Sequence, residues 1–343
     1  MAYSTINKSS LHMNTKLYAG NSGTNNITGV GFQPDFVWIK KRNATGDNAL
    51  FDAVRGVTKR LQSNENSAEA TTADSLTSFD SDGFTLGSYS GANQNLLASW
   101  NWKAAGSTAS NSSGSITSTV SANTTAGFSI VSYTGTAANA TVGHGLGAVP
   151  KVVITKSRVN GENWGFYHEN LGNTKQLVLN TDAAETGASA AYYNNTSPTS
   201  TVFSVGTADS TNDNQNMIAY CFAEIRGYSK FGMYTGNGQS DGTFVYTGFA
   251  PSFVLWKKVD SNNSNNSWVI MDNKRSGDNN YNKALHPDLN NSESDYQNWF
   301  DIYSNGFKLR NGHNELNRSG SNYIFMAFGQ SLVGSNNVVA TAR

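Results

Sequence analysis

The sequence predicts an all-β protein of three tandem antiparallel β-sandwich modules, of the jelly-roll kind. Three observations carry that expectation. The chain of 343 residues is too long for one ordinary core, yet only 14% of it is charged and Gly, Asn, Ser and Thr abound, a composition that favours turns over helices. No segment sustains a helical period, while short stretches alternate apolar and polar residues as half-buried strands do. And one pattern recurs three times along the chain.

The pattern opens on a glycine, a proline and a strand. Gly31-Phe-Gln-Pro34-Asp-Phe-Val-Trp-Ile-Lys40 matches Gly248-Phe-Ala-Pro251-Ser-Phe-Val-Leu-Trp-Lys257, with Gly147-Ala-Val-Pro150-Lys-Val-Val-Ile-Thr-Lys156 as a weaker copy between them. A proline at the mouth of a strand loses no ladder hydrogen bond. Next come aromatic or apolar strands ending in a polar residue, Leu50-Phe51-Asp52, Trp164 to His168 and Trp268 to Asp272, with Arg55 and Arg275 three positions later in copies one and three. Leucine strands closing on an asparagine follow, Leu61 to Asn64, Leu177 to Asn180 and Leu285 to Asn290. The turn dipeptides Asp82-Gly83 and Asn305-Gly306 then lead into Phe84-Thr-Leu86 and Phe307-Lys-Leu309, which alternate with period two; Phe203-Ser-Val205 is the second counterpart. Each copy ends on a longer strand: Asn95 to Trp102, Asn216 to Phe222 and Asn322 to Phe328.

The boundaries follow. Residues 1–17 read as an N-terminal arm, 18–103 as module one, 104–114 as a small-residue linker, 115–225 as module two, 226–330 as module three and 331–343 as a C-terminal tail. The short connection Glu224 to Lys230 predicts that modules two and three pack as a unit, while the Ala-Gly-Ser-Asn linker leaves module one free to swing.

Charge and motif content narrow the function. Lys plus Arg equals Asp plus Glu at 24 each, so nothing provides the basic excess that nucleic acid or an anionic membrane requires. No apolar run is long enough to span a membrane, and the first residues lack a secretory pattern. Cys221, the single cysteine, lies in an apolar run and reads as core. His12, His144, His168, His286 and His313 have no metal-ligand spacing, and His144 between two glycines reads as a turn residue. Asp52 and Asp272 occupy equivalent positions, so pairing with Arg55 and Arg275 is preferred to the paired-carboxylate chemistry of a glycosidase. No catalytic, cofactor-binding or metal residue is therefore expected. Calcium is the one ion left open, at Asp80-Ser-Asp82 and Asp209 to Asn214, although neither stretch completes a calcium loop. Tyr192, Tyr193, Tyr296 and Trp299 have no counterparts in the other copies, and are expected on the surface as contacts to a glycan or a second subunit.

Taken together, Gly31 to Lys40, Asp52-Ala-Val-Arg55-Gly56, Asp82 to Gly87 and Trp100-Asn-Trp-Lys103 resemble the repeat module of bacteriophage virion proteins, common in phages of marine bacteria including cyanophages. Gly127 to Gly135, Gly143 to Gly147 and Cys221 to Ile225 resemble further parts of it. The resemblance implies lectin-like sandwich modules in a non-enzymatic tail-fibre or appendage protein, made in the host cytoplasm without a signal peptide and carried on the virion. Other virion proteins would be its partners, with a host glycan or receptor, and a homotrimer is the implied assembly. A capsid or tail decoration protein is the alternative, and a glycan depolymerase a more distant one.

Overall fold

Alternating and doubly apolar strands sort into two kinds of sheet. The computed structural model describes residues 4–260, 266–276 and 281–331, and all of its sheets are built from antiparallel ladders. The fold is all-β. Its only helical pieces in the described residues are turns of three or four residues, such as Ser90–Asn93 and Ala190–Tyr193.

Strand pairing stays within three stretches of sequence. In the first, a large sheet runs Met13–Ala19, Leu96–Trp102, Phe36–Lys41, Ala49–Asp52, Lys59–Gln62, Ala70–Thr71, and a small one runs Asn25–Thr28, Gly83–Leu86, Leu76–Asp80. In the second, the large sheet runs Ala109–Asn111, Ser118–Asn123, Phe128–Thr134, Asn216–Ala223, Pro150–Ser157, Gly165–His168, Leu177–Val178, beside the pair Ala140–Gly143 and Val202–Val205. In the third, the orders are Ser229–Thr235, Asn322–Gln330, Ala250–Lys258, Val269–Asp272, and Phe244–Tyr246, Gly306–Leu309, Ser294–Tyr303, Tyr281–Ala284.

Each large sheet is buried on both faces, which explains the runs of consecutive apolar residues after the repeated proline. One face packs on the small sheet of the same copy. Val37, Ile39 and Phe51 meet Ile27, Phe84 and Leu86 in copy one. Val153 and Cys221 meet Val142 and Phe203 in copy two, and Val254 and Trp256 meet Val245 and Phe307 in copy three. The opposite faces of all three large sheets share a single core. Phe36, Trp38, Trp100 and Trp102 pack there with Phe128, Ile154, Phe166 and Tyr220, and with Phe253, Leu255, Trp268 and Phe328.

That shared core corrects three expectations. Copy one is not free to swing, because it supplies a third of the common core. The segment 104–114 is not a flexible linker: Ala104 is buried, its N–H donates to Asp35 Oδ2 at 2.7 Å, and Ala109–Asn111 is the edge strand of the second large sheet. Small residues read as linker by composition, yet they suit an edge strand with little to bury. Nor is the stretch before residue 18 a loose arm. Met13–Ala19 pairs along its length with Leu96–Trp102, Ile6 enters the shared core, and Ser9 N donates to Gln330 Oε1 at 2.7 Å, tying the turn before the first strand of copy one to the last strand of copy three. The tail expected over 331–343 lies, from residue 332, outside the described residues.

Candidate functional site

The residues that recur most faithfully meet where the copies join. Trp102, Phe222 and Phe328 hold the same place on the closing strand of each copy. Their ring centroids lie 6.3 Å (Trp102 to Phe222), 5.9 Å (Trp102 to Phe328) and 5.9 Å (Phe222 to Phe328) apart, a near-equilateral triangle marking a pseudo-threefold axis. Aromatic rings of this size supply much apolar burial in edge-to-face geometry.

Beside the axis, the polar residue ending each aromatic strand reaches the next copy. Asp52 Oδ2 accepts from Tyr220 Oη of copy two at 2.8 Å, and Asp272 Oδ2 accepts from Trp100 Nε1 of copy one at 2.9 Å. Both aspartates also pair with the arginine three residues on: Asp272 with Arg275 Nε at 2.7 Å, and Asp52 with Arg55. All four side chains are fully enclosed, so each charge has its counter-charge and its hydrogen bonds on hand, as burial demands. In copy two the same position holds His168. Its Nδ1 accepts from Asn170 N at 3.2 Å, which leaves Nε2 to donate to the Phe325 carbonyl of copy three at 3.3 Å. Burial pushes the pKa of this imidazole down to about 4, so it is neutral.

A second ring of contacts runs outside the first and is cyclic. Trp164 Nε1 donates to Gln62 O at 2.9 Å, Trp268 Nε1 to Val178 O at 3.1 Å, and Asn48 Nδ2 to His286 O at 3.2 Å. Each donor opens its strand, and each acceptor follows the repeated leucine of the neighbouring copy. Lysines of the proline strand do the same. Lys156 Nζ donates to Asn66 O, Lys257 Nζ to Asp182 O and Lys40 Nζ to Leu289 O, at 3.1, 3.2 and 3.1 Å. Burial lowers all three ammonium groups to about 8. Backbone bonds complete the ring, from Glu69 N to Arg158 O, Glu185 N to Val259 O and Glu293 N to Arg42 O. Copy two thus grips copy one, three grips two, and one grips three.

The residues expected at the surface divide. Tyr193 is buried, carried by its helical turn into the second sandwich against Tyr167, with centroids 5.1 Å apart; Tyr192 is half-buried beside it. Trp299 is buried too, and stacks on the half-buried Tyr296 at 4.1 Å. The reason is local: Asn298 has φ 55°, a left-handed kink that breaks strand alternation and turns both Trp299 and Phe300 inward. Uniqueness to one copy was therefore a poor guide to exposure for Tyr193 and Trp299.

The acidic loops use their carboxylates within the chain. Asp82 accepts from Gly29 N and Gly31 N, Asp80 from the hydroxyls of Ser78 and Thr85, and Asp213 from Ser157 Oγ and Asn160 Nδ2. Among the described residues no three His, Cys, Asp or Glu side chains gather as a metal site requires. Cys221 is enclosed in the second sandwich, and His144 Nδ1 accepts from Leu146 N in a turn. At the seam of copies one and three, a cavity of about 280 Å3 is lined by Met13, Asn14, Pro251, Lys274 and Tyr303, among others.

A further motif repeats in all three copies. Tyr18, Tyr133 and Tyr234 donate from their hydroxyls to Ala92 O, Thr211 O and Leu316 O at 2.7, 2.6 and 2.7 Å. The next residue in each case is a fully buried asparagine, Asn93, Asn212 or Asn317, whose amide closes the preceding loops. Two residues after each tyrosine stands Gly20, Gly135 or Gly236, where a Cβ would strike backbone at 2.3, 1.8 and 2.4 Å.

Fold and junction together define an all-β repeat protein whose three sandwiches close around one core. By sequence the chain belongs to the family described as Domain of unknown function (DUF7483), whose model matches residues 8–331 and so runs through all three copies. No curated protein and no solved structure matches it.

Proposed function

We propose that the chain is a non-enzymatic structural protein of a bacteriophage particle, a tail-fibre or appendage protein that presents a rigid body to the host surface. The observation that carries this reading is the closed ring of contacts. The repeated aspartates, lysines and tryptophans are engaged in joining copy to copy, and the outer faces of the small sheets differ between copies, with Phe244 and Tyr246 where copy one has Asn26 and Thr28. A rigid scaffold with variable outer faces suits attachment, and the motifs from Gly31 to Lys103 resemble phage virion modules of lectin-like type. The inward faces of all three large sheets are already covered, so assembly into a fibre trimer or docking on other virion proteins would use outer surfaces.

Gold-labelled antibody on intact phage particles tests the reading. Label on tail appendages is the expected outcome. Label confined to the head replaces it with a decoration protein, and absence from particles overturns it. Release of reducing ends from host polysaccharide, abolished by a single carboxylate substitution, would replace it with a depolymerase.

A further inference from the structure

The small sheet of copy three carries on its outer face something the other two lack. Phe244 and Tyr246 alternate outward from Val245, and Tyr303 lies on the same face two strands away; they are 44, 59 and 40% exposed. The rings of Phe244 and Tyr303 meet edge to face at 5.9 Å. Gly306, opposite both Tyr246 and Tyr303 in the ladder, allows this, since a Cβ there would come within 2.9 Å of Phe244 Cζ and 2.2 Å of Val245 O. Strand register gives the counterparts. In copy one the same three places hold Asn26, Thr28 and Asp80, and in copy two the first two hold Thr141 and Gly143. One scaffold thus carries aromatic rings in one copy and small residues, polar or glycine, in the others, so the fold itself does not require the rings.

The neighbouring rungs are polar. Lys308 stands opposite both Phe244 and Asp301 and pairs with Asp241 at 2.5 Å, and Arg310 Nε pairs with Asp301 at 3.2 Å. Ser240, Asp241, Asn298, Asp301 and Arg310 line an open groove of about 470 Å3. On the other side Tyr303 borders the seam cavity against copy one. A continuous strip results: cavity, aromatic rings, then a groove of hydroxyl, amide, carboxylate and guanidinium groups.

We infer that this strip binds an oligosaccharide. Pyranose rings offer an apolar C–H face to an aromatic ring and a rim of hydroxyls that both donate and accept. The strip supplies both kinds of surface in alternation. In the groove each carboxylate faces a cation, Asp241 with Lys308 and Asp301 with Arg310, and Lys274 in the cavity is the one further charge, too little to recruit a strongly charged partner. The rings of Phe244, Tyr246 and Tyr303 project from the face of the sheet, whereas a peptide strand would add along the outer edge of Phe244–Tyr246 and leave that face uncovered. An elongated strip suits a chain of sugars better than a single one. The inference rests on the attachment reading for its biological sense, but not for its chemistry.

A printed array of microbial oligosaccharides, probed with the labelled full chain, tests it. The comparison variant transplants the residues of copy one: Phe244→Asn, Tyr246→Thr and Tyr303→Asp together. The wild-type chain should bind at least one class of glycan, and the triple variant should lose at least about tenfold in affinity for it with an unchanged melting temperature. Asn26→Ala in copy one should bind as the wild type does. Absence of array binding, or equal binding by the triple variant, overturns the inference. So does a wild-type oligomer that the triple variant breaks, since the rings would then be a contact between copies of this chain. Glycan binding by a protein absent from particles would remove the virion reading and leave the site. Particle labelling without glycan binding would do the reverse.

Discussion

Copies one and three solve the junction with an ion pair, and copy two solves it without one. Asp52 with Arg55, and Asp272 with Arg275, place a buried charge pair beside the axis and accept from a tyrosine or tryptophan of the next copy. In copy two, aspartate becomes His168 and the residue three further on is the apolar Leu171, packed against the shared core. The partner changes as well. Where copies one and two bring Trp100 and Tyr220 to the axis, copy three brings Met326, which has no N–H or O–H to donate, and the Phe325 carbonyl accepts instead. Donor and acceptor have exchanged sides. The lesson is that each link must be satisfied in hydrogen bonds while its chemistry can be replaced as a set.

Breaking one of the ionic links should therefore do the greatest harm. Asp52→Ala leaves the enclosed Arg55 guanidinium with Glu69, 3.2 Å away, as its one remaining carboxylate, frees its Nε, and strips Tyr220 Oη of its acceptor. Removing one partner of such a pair costs about 3–5 kcal/mol, which guanidinium titration with tryptophan fluorescence would measure. The loss should appear as unfolding of the whole ring, because Tyr220 belongs to copy two. A midpoint within error of the wild type would show that the ring does not depend on this link.

The neutral link should instead be the acid-sensitive one. His168 titrates near its ordinary value of 6.5 when unfolded but at about 4 when folded, because burial disfavours the imidazolium. A depressed histidine contributes stability that is present above pH 6.5 and is lost as pH falls toward 4. The shift amounts to about 3 kcal/mol across that window. His168→Gln can still donate an N–H to the Phe325 carbonyl and has no proton to gain. It should match the wild type within about 1 kcal/mol at pH 8 and exceed it at pH 4. Urea titrations at a series of pH values read the difference directly; parallel pH profiles would remove His168 as the sensitive group. His286, also depressed to about 4, leaves some acid dependence in both proteins.

Much of this was legible in the sequence and some of it could not be. The proline strands, the Asp–Arg pairs and the Asp-Gly and Asn-Gly entries kept their spacing, so the strands they mark could be read locally. The ring could not: Asn48 and His286 are 238 residues apart, and nothing in either segment names the other. Double burial of strands such as Phe36–Lys41 was the available hint, since one sandwich covers only one face. The tyrosine–asparagine corner escaped for another reason. Tyr18, Tyr133 and Tyr234 each precede a glycine by two, but Asn93, Asn212 and Asn317 stand at different distances from the strands that follow, at Leu96, Asn216 and Asn322. Tyr193 and Trp299 were misplaced because a helical turn and a left-handed residue reset the alternation on which exposure was judged.

The comparison of copies also corrects an alignment and leads to the smallest effect. Trp268 N is held by Asp288 Oδ1 at 3.2 Å, as Asn48 N is held by Asn64 Oδ1 at 2.8 Å and Trp164 N by Asn180 Oδ1 at 2.9 Å. Asp288, rather than Asn290, is the third member of that set. It is an acid where the others are amides, and burial raises its pKa to about 7. A raised carboxyl leaves the fold at full strength below the unfolded value of 3.8 and weakens it progressively as pH rises to about 7. Asp288→Asn retains the oxygen that accepts from Trp268 N and removes the charge. It also forfeits the attraction of Lys257, which acts to lower that pKa, so the net gain should be modest, about 1–2 kcal/mol at pH 8. The gain should shrink toward zero by pH 4, opposite in direction to that of His168→Gln. Denaturation midpoints of the variant and the wild type at pH 4 and pH 8 decide it. A gain that is the same at both pH values would mean that packing, not the buried charge, separates the third copy from the other two.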